Sequence, residues 1–309
     1  MFNRIYVIAN ATAGAYLAER RLRCIQKYLK QTGFEPAVIL TRYRFHAKQL
    51  AKEAVKNNAD LIISIGGDGT INEIINGIME CKPYCKSFPA LGIISAGTGA
   101  DLCRSLNIPF DYKKAIETIM RGKTILMDVG SVKFAHKNCQ WQRYFANVFD
   151  VGLGGNVVRI ANHIPKSYGG FLTFLLSSLA GILTCKPLNL KIYSDKKLID
   201  HGLMTIIGAT NGRFFGGGMK IAPMASITDG YLEVMYVKNT NLFKFIKNVL
   251  LPVYDARHLL YKNLFHYRTK NLKILSEKTF LADIDGEEEK AQEVEVSIIP
   301  KAIKVIVPY

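Results

Sequence analysis

Gly66-Gly67-Asp68-Gly69-Thr70 is the stretch whose residue types most clearly invite chemistry. Glycines let a backbone come close to a ligand and take up positive φ. Before it, Leu61, Ile62, Ile63 and Ile65 form the nearly continuous apolar run of a strand buried on both faces. After it, Ile71, Ile74, Ile75, Ile78 and Met79 recur at helical spacing, with Thr70 expected as the N-cap. A glycine-rich turn between a strand end and a helix start offers free N–H groups and the positive end of a helix dipole, a setting for phosphate. Asp68 is the odd member: a carboxylate beside a phosphate suits a bridging divalent cation. On these residues alone an ordinary βα turn with incidental glycines stays open, because short glycine motifs recur by chance.

The elements around this loop supply its frame. Arg4 to Ala9 reads as a first strand ending in Asn10-Ala11-Thr12-Ala13-Gly14, followed by Leu22, Ile25 and Leu29 at helical spacing. Ala37 to Leu40 is a second strand ending at Thr41, and His46 to Asn57 a helix. Ala90 to Ile94 is a further strand, ending in Ser95-Ala96-Gly97-Thr98-Gly99-Ala100-Asp101, with Asp111 to Gly122 helical beyond it. Strands alternating with helices predict an α/β nucleotide-binding domain over residues 1–128, with a parallel sheet and right-handed crossovers. Ligands of such sheets bind outside the carboxyl ends of the strands, where Asn10, Thr41, the 66–70 loop and Thr98 all fall. After Asp128 the pattern changes. Tyr144 to Phe149, Leu188 to Tyr193, Met204 to Ala209, Leu232 to Val237, Leu272 to Leu275 and Val294 to Ile299 read as strands, mostly without helices between them. This predicts a second, largely antiparallel β domain over residues 129–309, with Ala302 to Val307 able to close either one.

Lys and Arg outnumber Asp and Glu by 41 to 25, a formal net charge of +16, which favours an anionic partner: nucleic acid, an acidic membrane surface or a phosphorylated substrate. No nucleic-acid module or aromatic–basic stripe appears, so nucleic acid ranks last. The 6 cysteines include no CxxC and no zinc spacing, the usage of a reducing cytosolic compartment. The N-terminal apolar run is short for a signal peptide. The uncharged run from Ser167 onward is broken by Gly169, Gly170 and Gly181, and reads as a buried or surface-docking helix rather than a span. No G-x-x-x-x-G-K-[ST] occurs.

Taken in order, Gly66-Gly67-Asp68-Gly69-Thr70, Asn72-Glu73, Gly97-Thr98 with Asp101 and Arg104, the run from Asn211 to Val234 (NGRFFGGGMKIAPMASITDGYLEV) and Asp285-Gly286-Glu287 resemble the bacterial diacylglycerol kinase-like lipid kinases. The glycine block is shared with NAD kinases; the GGGMKIAP block and the late DGE are the family-specific parts. The resemblance implies an N-terminal α/β domain, a C-terminal β-sandwich, ATP in the cleft between them, Mg²⁺, and a lipid hydroxyl as acceptor. By carry-over Asn10, Ala11, Thr12, Ala13, Gly14, Thr41, Gly66, Gly67, Asp68, Gly69, Thr70, Ile71, Asn72, Gly97 and Thr98 would contact ATP, with Asp101 both capping its helix and facing the site. Glu287 matches the proton acceptor, and Asp68 and Asp128 match acidic positions of metal handling. A structural magnesium would fall on the Ser226 and Tyr231 carbonyls with the Asp229 side chain. The chain departs at Ala11, Ala100, Gly155-Asn156, Met224 and Thr228; Met224 and Thr228 weaken the structural magnesium site.

Asp283, Asp285, Glu287, Glu288 and Glu289 crowd together, and like charges would raise some of their pKa values. From spacing alone the solvated acidic turn is the favoured reading of that run, and a structural ion-pair partner that of Asp128; only the resemblance reverses the preference. Lys244 and Lys247 with Phe243, Phe245 and Leu250 form a candidate face for peripheral membrane association, or an ordinary amphipathic helix. A homodimer is compatible with the sequence. The rival readings are an NAD kinase and a non-catalytic lipid- or nucleotide-binding relative.

Overall fold

A computed structural model of the chain describes residues 2–309 except Thr12, Thr32, Phe34, Glu35, Lys86, Thr98, Gly122, 164–176, Ser178, Leu179, Ile182 and Asn239. The chain divides into two compact units: residues 1–127 with 301–309, and residues 128–300.

In the first unit β1 (Ile5–Ala9), β2 (Ala37–Leu40), β3 (Leu61–Gly66) and β4 (Ala90–Ser95) pair in the order β2-β1-β3-β4, each pair parallel. The helices are α1 (Ala13–Gln31), α2 (His46–Lys56), α3 (Asp68–Cys81), α4 (Asp101–Leu106) and α5 (Tyr112–Arg121). Every residue of β3 is buried, as its apolar run requires. Ile63 and Ile65 pack with Val7, Ile94, Ile25, Leu29, Ile116 and Ile119 in one core, and each fully buried isoleucine stabilises the fold by roughly 1.5–3 kcal/mol. The last strand arrives from the far end of the sequence. The end of β13 (Glu287–Ile306) pairs with β4 through Lys304↔Ala90 and Val305↔Leu91. So the 302–307 run joins the first unit.

The second unit is antiparallel and β-rich. It contains β5 (Thr124–His136), β6 (Cys139–Phe145), β7 (Val148–Gly152), α6 (Leu153–His163), β8 (Leu188–Ser194), β9 (Lys197–Thr210), β10 (Leu232–Lys238), β11 (Leu264–Thr269) and β12 (Asn271–Ile284). Neighbours run β11-β10-β9-β7-β12-β13, with β8 pairing β9 and β12. Inward-facing Phe134, Phe145, Phe149, Ile192, Ile207, Val234, Ile274, Phe280 and Val294 share one core.

Three sequence expectations are corrected here. Tyr144 to Phe149 is not one strand: β6 stops at Phe145 and β7 starts at Val148. The break falls where the backbone N–H groups of Ala146 and Asn147 turn to a side-chain carboxylate, that of Asp285, instead of a ladder. The β5–β6 hairpin and β11 were not foreseen. Thr70 is not the N-cap of α3 either: Gly67 holds that position with extended backbone, and the helix begins at Asp68. The reading of 167–185 falls largely outside the described residues.

Candidate active site

The register of the parallel strands brings the N-terminal candidates to one edge. Ala9 lies opposite Leu40 and Ile65, and Gly66 opposite Ser95. Asn10, Thr41, Gly67 and Ala96 therefore leave the sheet side by side. Backbone bonds carry the alignment one residue further: Asn10 N–H to Ile65 O (2.9 Å), Thr41 N–H to Ala9 O (2.8 Å) and Ala96 N–H to Gly66 O (2.9 Å). The Asn10 amide donates to Thr70 Oγ1 at 3.2 Å, tying the first strand end to the glycine loop.

The two glycine loops touch backbone to backbone. A Cβ added to Gly97 would lie 2.5 Å from Gly67 Cα, closer than real Cβ atoms approach. Any side chain there would part the loops. Asp68 joins them from the other side: its carboxylate accepts the N–H groups of Asp101 and Leu102, both at 3.2 Å, at the start of α4. Burial raises the Asp68 pKa, and those N–H groups with Arg104 offset it only in part. Arg104 donates to the Gly99 carbonyl and lies 3.3 Å from Asp101 Oδ1. Asp101 is thus the first residue of α4 rather than its cap: Ala100 holds the N-cap position, and the α4 N–H groups of Asp101 and Leu102 go to Asp68 instead.

Other candidates are placed differently. Ile71 is core, and the buried Asn72 offers its Oδ1 to the Asn76 amide at 3.0 Å. The Ile71 backbone N–H is also taken, by Gly67 O at 3.2 Å, so the structure does not bring Ile71 to the site as a ligand contact. Thr12 and Thr98 lie outside the described residues, as do the side chains of Ala13 and Gly14. Glu73 is a residue whose role sequence reasoning missed. Its carboxylate accepts the N–H groups of Phe45 (2.9 Å) and Ala47 (3.0 Å), so it caps α2 and fixes the loop after Thr41. Its partners lie 26 and 28 residues away, where no spacing rule reaches.

In the second unit Asp128 is fully buried. Its N–H donates to Ile227 O at 2.7 Å, and its Oδ2 accepts the Gly230 N–H at 2.6 Å. Asp128 therefore ties down the 227–230 turn, the structural role that its sequence left open. The three expected magnesium ligands lie on or beside that turn. Asp229 accepts the Tyr231 N–H at 3.1 Å on one oxygen and pairs with Arg268 on the other.

Glu287 opens β13 directly after a two-residue turn. Asp285 and Gly286 both have positive φ (50° and 89°), the conformation of a type I′ hairpin, which Asp-Gly adopts readily. The Asp285 carboxylate is buried and accepts three backbone N–H groups, from Ala146 (2.6 Å), Asn147 (3.0 Å) and Val148 (2.9 Å). It fastens the hairpin carrying Glu287 to the β6–β7 turn.

The acidic run does not titrate as crowding alone predicts. Asp283 is the raised group, pushed up to about 7, and burial is the first cause, with Asp285 and Glu287 adding repulsion. Opposite it in register lies Asp150, raised well above its ordinary value by burial and then by Asp283. The Asp150 oxygens face the N–H groups of Gly154 and Gly155 at the start of α6 but close no hydrogen bond. Both carboxyls bind protons more tightly folded than unfolded. The contribution of each is therefore full below the unfolded value of 3.8 and lost as pH rises through its folded value, which is about 7 for Asp283. Asp150→Asn should flatten this fall: urea midpoints measured across that range should drop less steeply for the variant than for the parent.

The family model described as "Diacylglycerol kinase catalytic domain" matches residues 4–132, and that described as "YegS C-terminal NAD kinase beta sandwich-like domain" matches residues 147–307. A protein named diacylglycerol kinase from Bacillus subtilis (strain 168) is 29% identical over 289 residues, covering 92% of this chain and 89% of the relative. One of the same name from Staphylococcus saprophyticus is 29% identical over 291 residues, covering 93% and 90%. A crystal structure of a diacylglycerol kinase from Bacillus anthracis str. Sterne has the same fold, with a TM-score of 0.74 at 21% identity, covering 99% of this chain and 97% of that one. An NAD kinase from Archaeoglobus fulgidus in complex with ATP is more distant, with a TM-score of 0.51 at 13% identity and coverage of 98% and 93%. The strand-end loops and the late Asp-Gly-Glu hairpin lie within two tandem family domains that together span almost all of the sequence: the chain belongs to the diacylglycerol kinase-like family, and it is an ATP-dependent lipid kinase.

Proposed function

We propose that the lipid is diacylglycerol or a close relative, phosphorylated on its free hydroxyl. The names of the relatives support this choice. The observation that carries the ATP side is the Gly67–Gly97 contact with Asp68 across it. This sets the N-terminus of α3 beside the loop that follows β4, and the positive end of that helix suits phosphate oxygens. Phosphoryl transfer is mostly positioning and charge neutralisation. Mg²⁺ bound with ATP would supply neutralisation, and Asp68, whose two oxygens accept the Asp101 and Leu102 N–H groups, would turn toward it only by releasing one of them. Glu287 accepts the proton of the lipid hydroxyl. The test is transfer of labelled phosphate from ATP to micelles of diacylglycerol, ceramide, sphingosine or phosphatidylglycerol, with NAD in parallel. Label in phosphatidic acid supports the assignment; label in NAD alone would reject it.

The enzyme meets its lipid at an anionic membrane surface through residues 242–262. Here the face expected from sequence changes. Phe245 is only 4% exposed, and Leu250 packs on the same cluster. The apolar side chains turned outward are Phe243, Leu251 and Leu260, at 73%, 66% and 85% exposure. Lys244, Lys247, Arg257 and Lys262 lie among them, and the one acidic residue, Asp255, pairs with Arg257 at 2.9 Å. Each basic residue near an anionic leaflet adds about 1 kcal/mol. No helix among the described residues is long and apolar enough to cross a bilayer. Lys244→Glu with Lys247→Glu should reduce co-sedimentation with phosphatidylglycerol vesicles by about 10-fold or more and leave activity on short-chain, monomeric substrate intact. Unaltered sedimentation would reject this face.

A further inference from the structure

The resemblance puts a divalent cation at the 226–231 turn, but the side chains found there do not fit one. We propose that Arg268 substitutes for that ion: in this chain the turn is closed by a guanidinium and takes up no magnesium. Register fixes the arrangement. Glu233 on β10 lies directly opposite Arg268 on β11, so the two side chains share one face of the sheet. Glu233 is 3% exposed, and a buried carboxylate requires a partner. Arg268 Nε meets Glu233 Oε1 at 2.9 Å, which leaves the rest of the fork to reach past the strand end. There Arg268 Nη2 pairs with Asp229 Oδ2. Its planar fork suits it to bridging two carboxylates, which a lysine ammonium would not match.

Little is left for a metal. Magnesium demands near-octahedral oxygen ligands at about 2.0–2.1 Å. Of the three expected ligands only Asp229 brings charge, and both its oxygens are engaged, by Arg268 and by the Tyr231 N–H. The Tyr231 ring has the Arg268 guanidinium 4.6 Å and the Lys270 ammonium 5.0 Å from its centroid. The Arg268 guanidinium thus already faces the carboxylates of both Asp229 and Glu233, with the Lys270 ammonium over the adjoining Tyr231 ring, and a divalent ion would meet repulsion. The Thr228 hydroxyl lies 3.4 Å from Ser226 Oγ and brings no charge to the turn. The other end of the turn is tied by Asp128.

This inference is independent of which lipid the kinase uses and of any magnesium that travels with ATP. It is tested on the intact protein without nucleotide. Thermal unfolding is followed in millimolar MgCl₂ and in EDTA, for the parent and for Asp229→Asn. The expected result is the same magnesium response, or none, in both proteins. A magnesium-dependent rise in melting temperature that Asp229→Asn abolishes would overturn the proposal. If the variant does not fold, crystals of the parent soaked in MnCl₂ decide the question. An anomalous peak beside Asp229 refutes it, and its absence there supports it.

Discussion

Glu287→Gln should lower phosphoryl transfer by about 10²–10⁴-fold, the usual contribution of a positioned general base, with ATP binding unchanged. Gln keeps the length and shape of the side chain and its ability to hydrogen-bond, but it cannot accept a proton at neutral pH. The hairpin geometry should survive, because the positive-φ turn and the Asp285 tether lie before residue 287 and do not use its side chain. The measurement pairs label transfer to lipid micelles with fluorescence titration of ATP. Undiminished turnover would remove Glu287 from the reaction. Loss of ATP affinity in step with turnover would show that it holds nucleotide instead.

Asp285→Ala should be the most destabilising single change in the second unit. It strands three N–H groups that now converge on one buried carboxylate. Each buried donor left unsatisfied costs about 1–3 kcal/mol, so a loss of about 3 kcal/mol or more is expected. For a domain of this size that lowers the melting temperature by roughly 6–12 °C. Asp285→Asn keeps one acceptor oxygen and tolerates the same positive φ, so it should lose less than half as much. Denaturant midpoints of the two variants separate this account from a generic turn effect. Equal losses for Ala and Asn would mean that the turn conformation matters rather than the carboxylate.

What the sequence revealed and what it hid follow from the range of the interactions. Leu61 to Met79 was legible because strand, loop and helix are consecutive and each has its own periodicity. Thr70 was misread as a cap because residue preference was weighed without knowing that Gly67 must lie against Gly97, 30 residues away. The split at Ala146 and Asn147 was hidden for the same reason, its cause being a carboxylate near the other end of the chain. The β5–β6 hairpin escaped because polar and basic residues break its apolar pattern, as in CQWQRYF, while Trp141 stacks on Phe134 at 5.4 Å. The outward face of residues 242–250 shifted first because Phe243 and Phe245, two apart on a helix, cannot share a face, and then because Ile246 to Leu250 form a π-helical turn, closed by Leu251 N–H to Ile246 O. Its i→i+5 bonds rotate later side chains away from the 3.6-residue phase. Asp128 and Glu287 could be named only through the resemblance, since spacing gives an isolated carboxylate no role.

The first unit takes its edge strand from residues 301–309, beyond the whole of the second. During synthesis on the ribosome, β4 therefore waits with its outer edge bare until residues 304 and 305 have been made. The Lys82 ammonium likewise lacks the Ala302 carbonyl that it reaches at 3.1 Å. An unpaired, fully apolar strand edge is an aggregation hazard. Deleting residues 301–309 should thus cripple the nucleotide-binding half while sparing the antiparallel one, and nascent chains stalled before residue 301 should be clients for chaperones.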